Sequence, residues 1–223
     1  GIDVYKHQQQ VKMHMGVVPQ EIALYDELSA FDNLLFWGSL YGITGADAKK
    51  QANYLLEWVG LADRKNDAVK TYSGGMKRRV NIASALMHNP GLIVMDEPTV
   101  GIDPQSRNKI YELLDEMHTG GKTILYTTHY MEEAEKMCDK IGVIDSGRII
   151  AEGSLNELKT NYSLDDSIVI TYTGNSDGII PGYATQHTAA ANEIIIQIKD
   201  AKGHLSDIVN KCSGAQIAIH NID

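Results

Sequence analysis

The sequence predicts an α/β fold built on a parallel sheet, followed by a smaller α+β unit. Three observations carry that expectation. Gly91-Leu92-Ile93-Val94-Met95 is an uninterrupted apolar run that ends in Asp96 and Glu97, the pattern of a strand buried on both faces, as in parallel sheets flanked by helices. Residues 92–95, 123–127 and 141–144 alternate with helical patterns, the βα signature of a parallel sheet. After Ser163 the texture changes to short strands, one helix and Gly/Asn/Asp turns. The domains expected are 1–163, with a helical subdomain over about 21–90, and a small accessory domain over 164–223.

In chain order, a short strand is expected around 15–18. Residues 23–87 read as mostly helical, with breaks near 42–45 and 60–72, where glycines interrupt the pattern. Val80, Ala83, Leu86 and Met87 share one face of the last helix there. Ile110, Leu113, Leu114 and Met117 form the inner face of the next. Ser146-Gly147 makes a turn, 148–151 returns as a strand, and 155–159 is a helix. In the second unit, strands are expected over 168–172, 193–199 and 216–220, and a helix over 204–212. Turns are expected at 174–178 and 181–182. Nothing in this unit forms a chemical motif, and packing is its plainest reading. Phe31, Phe36 and Trp37 cluster beside Leu34, Leu35 and Tyr41. Most belong to the subdomain's core, with Tyr25 and Phe31 the candidates for exposure.

Five segments carry chemistry. Asp96 and Glu97 are expected at the carboxyl end of the sheet, where α/β proteins bind ligands. Two acids there suit phosphoryl chemistry, one holding Mg²⁺ and the other orienting a water. Tyr72-Ser73-Gly74-Gly75-Met76 precedes a helix that Ser73 can cap, and its glycines let backbone amides approach an anion. Pro98-Thr99-Val100-Gly101-Ile102-Asp103-Pro104 leads into another helix. Thr127-Thr128-His129 closes a strand, and Val17-Val18-Pro19-Gln20 stands near the start. Taken singly, each has a blander reading. The acid pair suits a helix first turn, Ser73-Gly74-Gly75 is a common turn and cap, and Asp103 before Pro104 is a helix cap.

Together and in this order, the five segments resemble the ATP-binding subunits of ABC transporters, over residues 1–153. The resemblance implies a P-loop NTPase-like parallel sheet with an inserted helical subdomain, an ATPase using ATP and Mg²⁺, and a role as the motor of an exporter. It implies two partners: a separate transmembrane permease subunit, docked beside the segment after Gln20, and a second nucleotide-binding subunit. Residue by residue, Gln20 looks like the Gln-loop glutamine that reaches Mg²⁺ and the attacking water. Ser73, Gly74, Gly75 and Met76 align with the signature motif, which meets nucleotide bound on the opposite subunit. Asp96 matches the Walker B aspartate that holds Mg²⁺, Glu97 the catalytic glutamate, Asp103 the D-loop and His129 the switch histidine. Tyr72 and Met76, where the commonest form has Leu and Gln, and the following Lys77-Arg78-Arg79 are similar to daunorubicin-resistance-type subunits. Ile102 replaces the usual Leu, a volume-conserving change.

One motif of the family is missing. No Gly-x-x-x-x-Gly-Lys-Ser/Thr occurs. Gly121-Lys122-Thr123 has Glu116 at the first glycine's position and precedes a strand instead of following one. The chain is therefore expected to be truncated at its amino terminus and, by itself, inactive towards ATP. Loss of the strand that enters this loop would also leave sheet edges open to aggregation.

Composition excludes other classes. With 43% hydrophobic and 22% charged residues, the chain is an ordinary globular sequence. No apolar stretch approaches a membrane span, so a cytoplasmic place on the inner face of the cell membrane would come through a partner. Twenty basic against twenty-nine acidic residues give a net charge of −9, which disfavours nucleic acid. The absence of heptads argues against the coiled-coil DNA-maintenance ATPases. Lys77, Arg78 and Arg79 form the densest basic cluster, open to a solvated-face or a phosphate-facing reading. Cys138 and Cys212 suggest neither a metal knuckle nor a disulfide framework.

Overall fold

In the computed structural model the apolar run becomes β2 (Leu92–Asp96), the middle strand of a three-stranded parallel sheet between β1 (Met15–Val18) and β3 (Thr123–Thr127). The structure describes residues 3–162, 166–173, 184–188, 193–198, 201–214 and 218–222. Contacts divide the chain into two compact units, Gly1–Asp139 and Lys140–Asp223. The division falls ahead of the motif-based boundary at 163.

In the first unit, α2 (Ala30–Leu40), α3 (Gly45–Trp58) and α4 (Gly74–Ala85) make the helical region, interrupted near the expected glycines. Gly42 and Gly60, just past the C-caps of α2 and α3, take positive φ values of 78° and 69°, which lets each helix end without strain, and Gly45 at 65° opens α3. Val80, Ala83, Leu86 and Met87 are buried, as are Ile110, Leu113, Leu114 and Met117 of α5 (Pro104–Thr119). These faces close on Ile93 and Met95 to form the core.

The strand run is not buried on both faces. Ile93 and Met95 are fully buried, but the opposite face, in register across Val17, Val94 and Leu125, is partly open. Val17 is 50% and Leu125 56% exposed. Helices cover one side only, apart from α1 (Gln8–His14), which the sequence reading did not foresee. Beside it a hollow of about 260 Å³ is lined by Val4, Val11, His14, Met15 and Leu92. Among the aromatics, Tyr25 is half-exposed with Phe36 edge-on at 4.8 Å, whereas Phe31 packs half-buried against the core.

The second unit corrects the sheet assignment of 141–144. β4 (Ile141–Asp145) runs antiparallel to β5 (Arg148–Gly153) in a two-stranded sheet of its own. Ser146 and Gly147, at φ 48° and 76°, close a two-residue turn whose twist suits a hairpin. A strand that follows a helix and turns straight back reads like a βα repeat until its partner is known. α7 (Leu155–Tyr162) follows. A four-stranded antiparallel sheet, in the order β7-β8-β6-β9, is built from β6 (Asp166–Thr173), β7 (Ala184–Thr188), β8 (Glu193–Ile198) and β9 (Ala218–Ile222). Ile168, Ile170, Tyr172, Ile194 and Ile196 form its core with Ile208 and Cys212 of α8 (Ala201–Gly214). The turns expected at 174–178 and 181–182 lie outside the described residues. Among these, no helix is long and apolar enough to cross a membrane.

Candidate functional site

Asp96 ends β2, and the chain then bends sharply because Glu97 takes the left-handed conformation at φ 42°. That turn lifts the Glu97 side chain off the strand end. Its backbone N–H donates to the Thr127 carbonyl at 3.2 Å and to Thr127 Oγ1 at 3.1 Å. Thr127 Oγ1 in turn donates to Asp96 Oδ1 at 2.7 Å. The two strand ends are thus fastened together where the acids emerge.

Three predicted residues meet here. His129 Nδ1 lies 2.7 Å from Glu97 Oε1, and Gln20 Nε2 donates to Glu97 Oε2 at 3.0 Å. An ionised carboxylate only accepts, so in this contact Nδ1 carries a proton. Gln20 follows β1, Glu97 follows β2 and His129 follows β3, so parallel neighbours deliver all three to one rim. Asp96 is exposed beside them. Among the described residues, no group of three His, Cys, Asp or Glu side chains is gathered to hold a metal.

Ser73, Gly74, Gly75, Met76 and Asp103 form a second group. Ser73 caps α4 by accepting from the Met76 N–H, and Asp103 caps α5 by accepting from the Ser106 N–H at 2.9 Å, with Pro104 at the first position. Hydrogen bonds from the Ser106 backbone and hydroxyl hold the Asp103 carboxyl below the usual range. Gly75 is buried, and a Cβ placed on it would lie 2.2 Å from Ser106 Oγ. The signature-like and D-loop-like segments therefore pack together. Among the described residues, no hydrogen bond joins the side chains of this group to Gln20, Glu97 or His129.

The basic cluster has neither of the roles considered for it. Arg78 is buried and donates to the Pro19 carbonyl at 2.6 Å and to the Gln20 carbonyl. Arg79 donates to the Val59 carbonyl at 2.6 Å, and Lys77 pairs with Asp26 at 2.7 Å. Helix patterning could not show this, because the partners, backbone carbonyls and the Asp26 carboxylate, are remote in sequence. Glu133, on the short α6 (Met131–Met137), also escaped the sequence reading; it is buried and accepts from four hydroxyls.

The ABC transporter family model matches residues 1–100. The chain is 40% identical over 161 residues to the daunorubicin/doxorubicin resistance ATP-binding protein of Streptomyces peucetius, covering 72% of this chain and 49% of that relative. The chain thus spans about half of that relative's length. A solved structure of the ATP binding subunit of an ABC transporter is similar at a TM-score of 0.63, with 28% identity, over 73% of this chain and 68% of that one. Identity rises to 44% over 223 residues with the linearmycin resistance ATP-binding protein of Bacillus subtilis (strain 168), covering 99% of this chain and 72% of the relative. Likeness of that degree along nearly the whole sequence decides the matter: the chain belongs to the ATP-binding subunits of ABC transporters.

Proposed function

We propose that the chain is the ATP-hydrolysing motor of an exporter, acting with a separate transmembrane permease and a second nucleotide-binding subunit on the inner face of the cell membrane. The observation that carries this reading is the grip on Glu97 by His129 and Gln20 beside Asp96. Glu97 is the acid that orients the attacking water. Each of its oxygens accepts one of these bonds and keeps a second lone pair, so a water can be held while His129 and Gln20 stay in place. With Nδ1 bound to Glu97, the other ring nitrogen of His129, Nε2, is the one left to meet a terminal phosphate.

Asp96, exposed and with Oδ1 held by Thr127, and the side-chain Oε1 of Gln20 would hold Mg²⁺. Such a site suits Mg²⁺, which keeps its waters and uses one or two protein oxygens plus phosphates, not an all-protein cage. When bound, the ion would neutralise charge on the phosphates. The signature segment 73–76, packed on Asp103 and Ser106 and unconnected by side-chain bonds to the Glu97 group, suits service to nucleotide held by the other subunit. The names of the two relatives, both resistance proteins, favour export.

The 223 residues contain no phosphate-cradling loop. Without its amides and lysine, the chain by itself binds ATP weakly and does not turn it over. The test is ATP turnover by this chain with a relative's loop joined ahead of residue 1. Asp96→Asn and His129→Ala are each expected to lower Mg²⁺-dependent turnover at least about 100-fold. Undiminished turnover in both variants would refute the assignment.

A further inference from the structure

Behind the Glu97–His129 contact lies a second junction between the same two loops, centred on Glu133. Its side chain is only 5% exposed. Oε1 accepts from Thr99 Oγ1 at 2.7 Å and from Tyr111 at 2.8 Å. Oε2 accepts from Tyr126 and from Thr128 Oγ1, each at 2.8 Å. The donors come from the loop after β2, from α5, from β3 and from the loop after β3. Thr99 is itself 1% exposed, and Thr128 Oγ1 also accepts from the Tyr130 N–H at 3.0 Å, which fixes the backbone on either side of His129.

Burying a carboxylate is costly, and an apolar filling of the same space is often as stable or more so. What the charge supplies is direction. Four hydroxyls that could rotate elsewhere are all turned onto one acceptor, each carboxylate oxygen taking two. A Gln in its place has one acceptor oxygen and turns an N–H₂ towards two of the hydroxyls. Two donors bear on the site: Thr99 stands two residues after Glu97, and Thr128 directly precedes His129. The bridge Thr99–Glu133–Thr128 therefore spans the same two loops as the bond between Glu97 and His129.

We infer that Glu133 is a positioning residue, which locks the loop after β2 to the loop after β3 and thereby holds His129 within bonding distance of Glu97. The inference rests on the proposed function for its consequence, because the pair it holds is the one assigned to the water and the terminal phosphate. It differs from a purely stabilising role in one respect: folded protein lacking the hub has a displaced His129.

The test uses the full 223-residue chain with ¹⁵N-labelled histidine and reads the His129 Nδ1 chemical shift at one fixed pH above neutrality. His129→Asn assigns the signal, and Glu97→Gln sets the displacement for a broken contact. Glu133→Gln and Thr128→Val, the latter removing one hydroxyl at constant volume, are each expected to move the signal at least half that far. Tyr111→Phe, which takes a donor from α5 and from neither loop, should move it far less. A folded Glu133→Gln protein with His129 at its wild-type position overturns the inference. If Glu133→Gln does not fold, Thr128→Val decides by the same criterion. Should Glu97→Gln itself leave His129 unmoved, both the inference and the functional pairing fail. A shift in Glu97→Gln but not in the hub variants sinks the inference alone.

Discussion

Arg78 donates to the backbone carbonyl of Pro19 across 2.6 Å, and to the adjoining Gln20 carbonyl with its other terminal nitrogen. The helix that begins at Ser73 is thereby tied to the loop that presents Gln20. Desolvation lowers the Arg78 pKa, yet a guanidinium stays charged, so the two carbonyls receive charge-assisted bonds. Arg78→Leu would leave them without a donor in a buried place. We expect a loss of roughly 2–4 kcal/mol in urea denaturation, with Arg78→Lys recovering less than half, since an ammonium cannot fork to both. A loss below about 0.5 kcal/mol for Arg78→Leu would show that the tie is incidental.

Gly75 packs tightly against Ser106 where the two helix-capping segments meet. A methyl at Gly75 would meet Ser106 Cβ at 2.3 Å and Oγ at 2.2 Å, too near for side-chain rotation to relieve. Gly75→Ala should destabilise by roughly 1–3 kcal/mol. Ser106→Gly in the same chain should recover part of that loss, a coupling that a double-mutant cycle measures. Strict additivity would mean that the segments move apart instead.

The backbone at Glu97 inverts the usual order of small residues. At φ 42° a Cβ is disfavoured, so Glu97→Gly should be more stable than Glu97→Ala by about 1 kcal/mol. In ordinary strand or helix positions glycine is the weaker of the two. Both variants lose the contacts to Gln20 and His129, so their difference isolates the backbone. Denaturation midpoints that place the alanine variant first would argue against the strained turn.

The Glu133 hub has a pH signature. Burial and the bond to Glu133 push the Tyr111 phenol up to about 12. A group raised on folding contributes stability that is complete below its unfolded value and disappears as pH rises through the folded one. For Tyr111 that window runs from about 10 to about 12. Burial alone would raise the Glu133 carboxyl, but its four hydroxyl bonds outweigh this and lower it. Its stabilisation is thus present above the ordinary Glu value of 4.5 and fades as pH falls through the folded one. Tyr111→Phe should flatten the alkaline limb of the stability profile, and Glu133→Gln the acidic limb. Unchanged limbs would place the titrations elsewhere.

Much of this was legible in the sequence, for stated reasons. Helical faces such as Ile110, Leu113, Leu114 and Met117 announce themselves because one side of a helix must be buried. Asp96, Glu97, Gln20 and His129 were singled out only by the joint order of the motifs and the family they resemble; taken alone, Gln20 reads as a polar residue after a proline turn. The partner of β4 was hidden, since periodicity names a strand and not its neighbour. β7, with the sequence Ala-Thr-Gln-His-Thr, is too polar to be read as a strand. Arg78 and Glu133 were hidden for a common reason: both are charged residues on short helical patterns that look solvated until the remote carbonyls and hydroxyls they serve are in place.

The most direct measurement is the response of nucleotide binding and of turnover to Glu97→Gln, in this chain with a relative's phosphate loop joined ahead of residue 1. If Glu97 acts on the attacking water, turnover falls at least about 100-fold while the ATP dissociation constant stays within about threefold. Equal turnover in the two proteins would contradict the account, and so would a fall explained wholly by lost ATP binding.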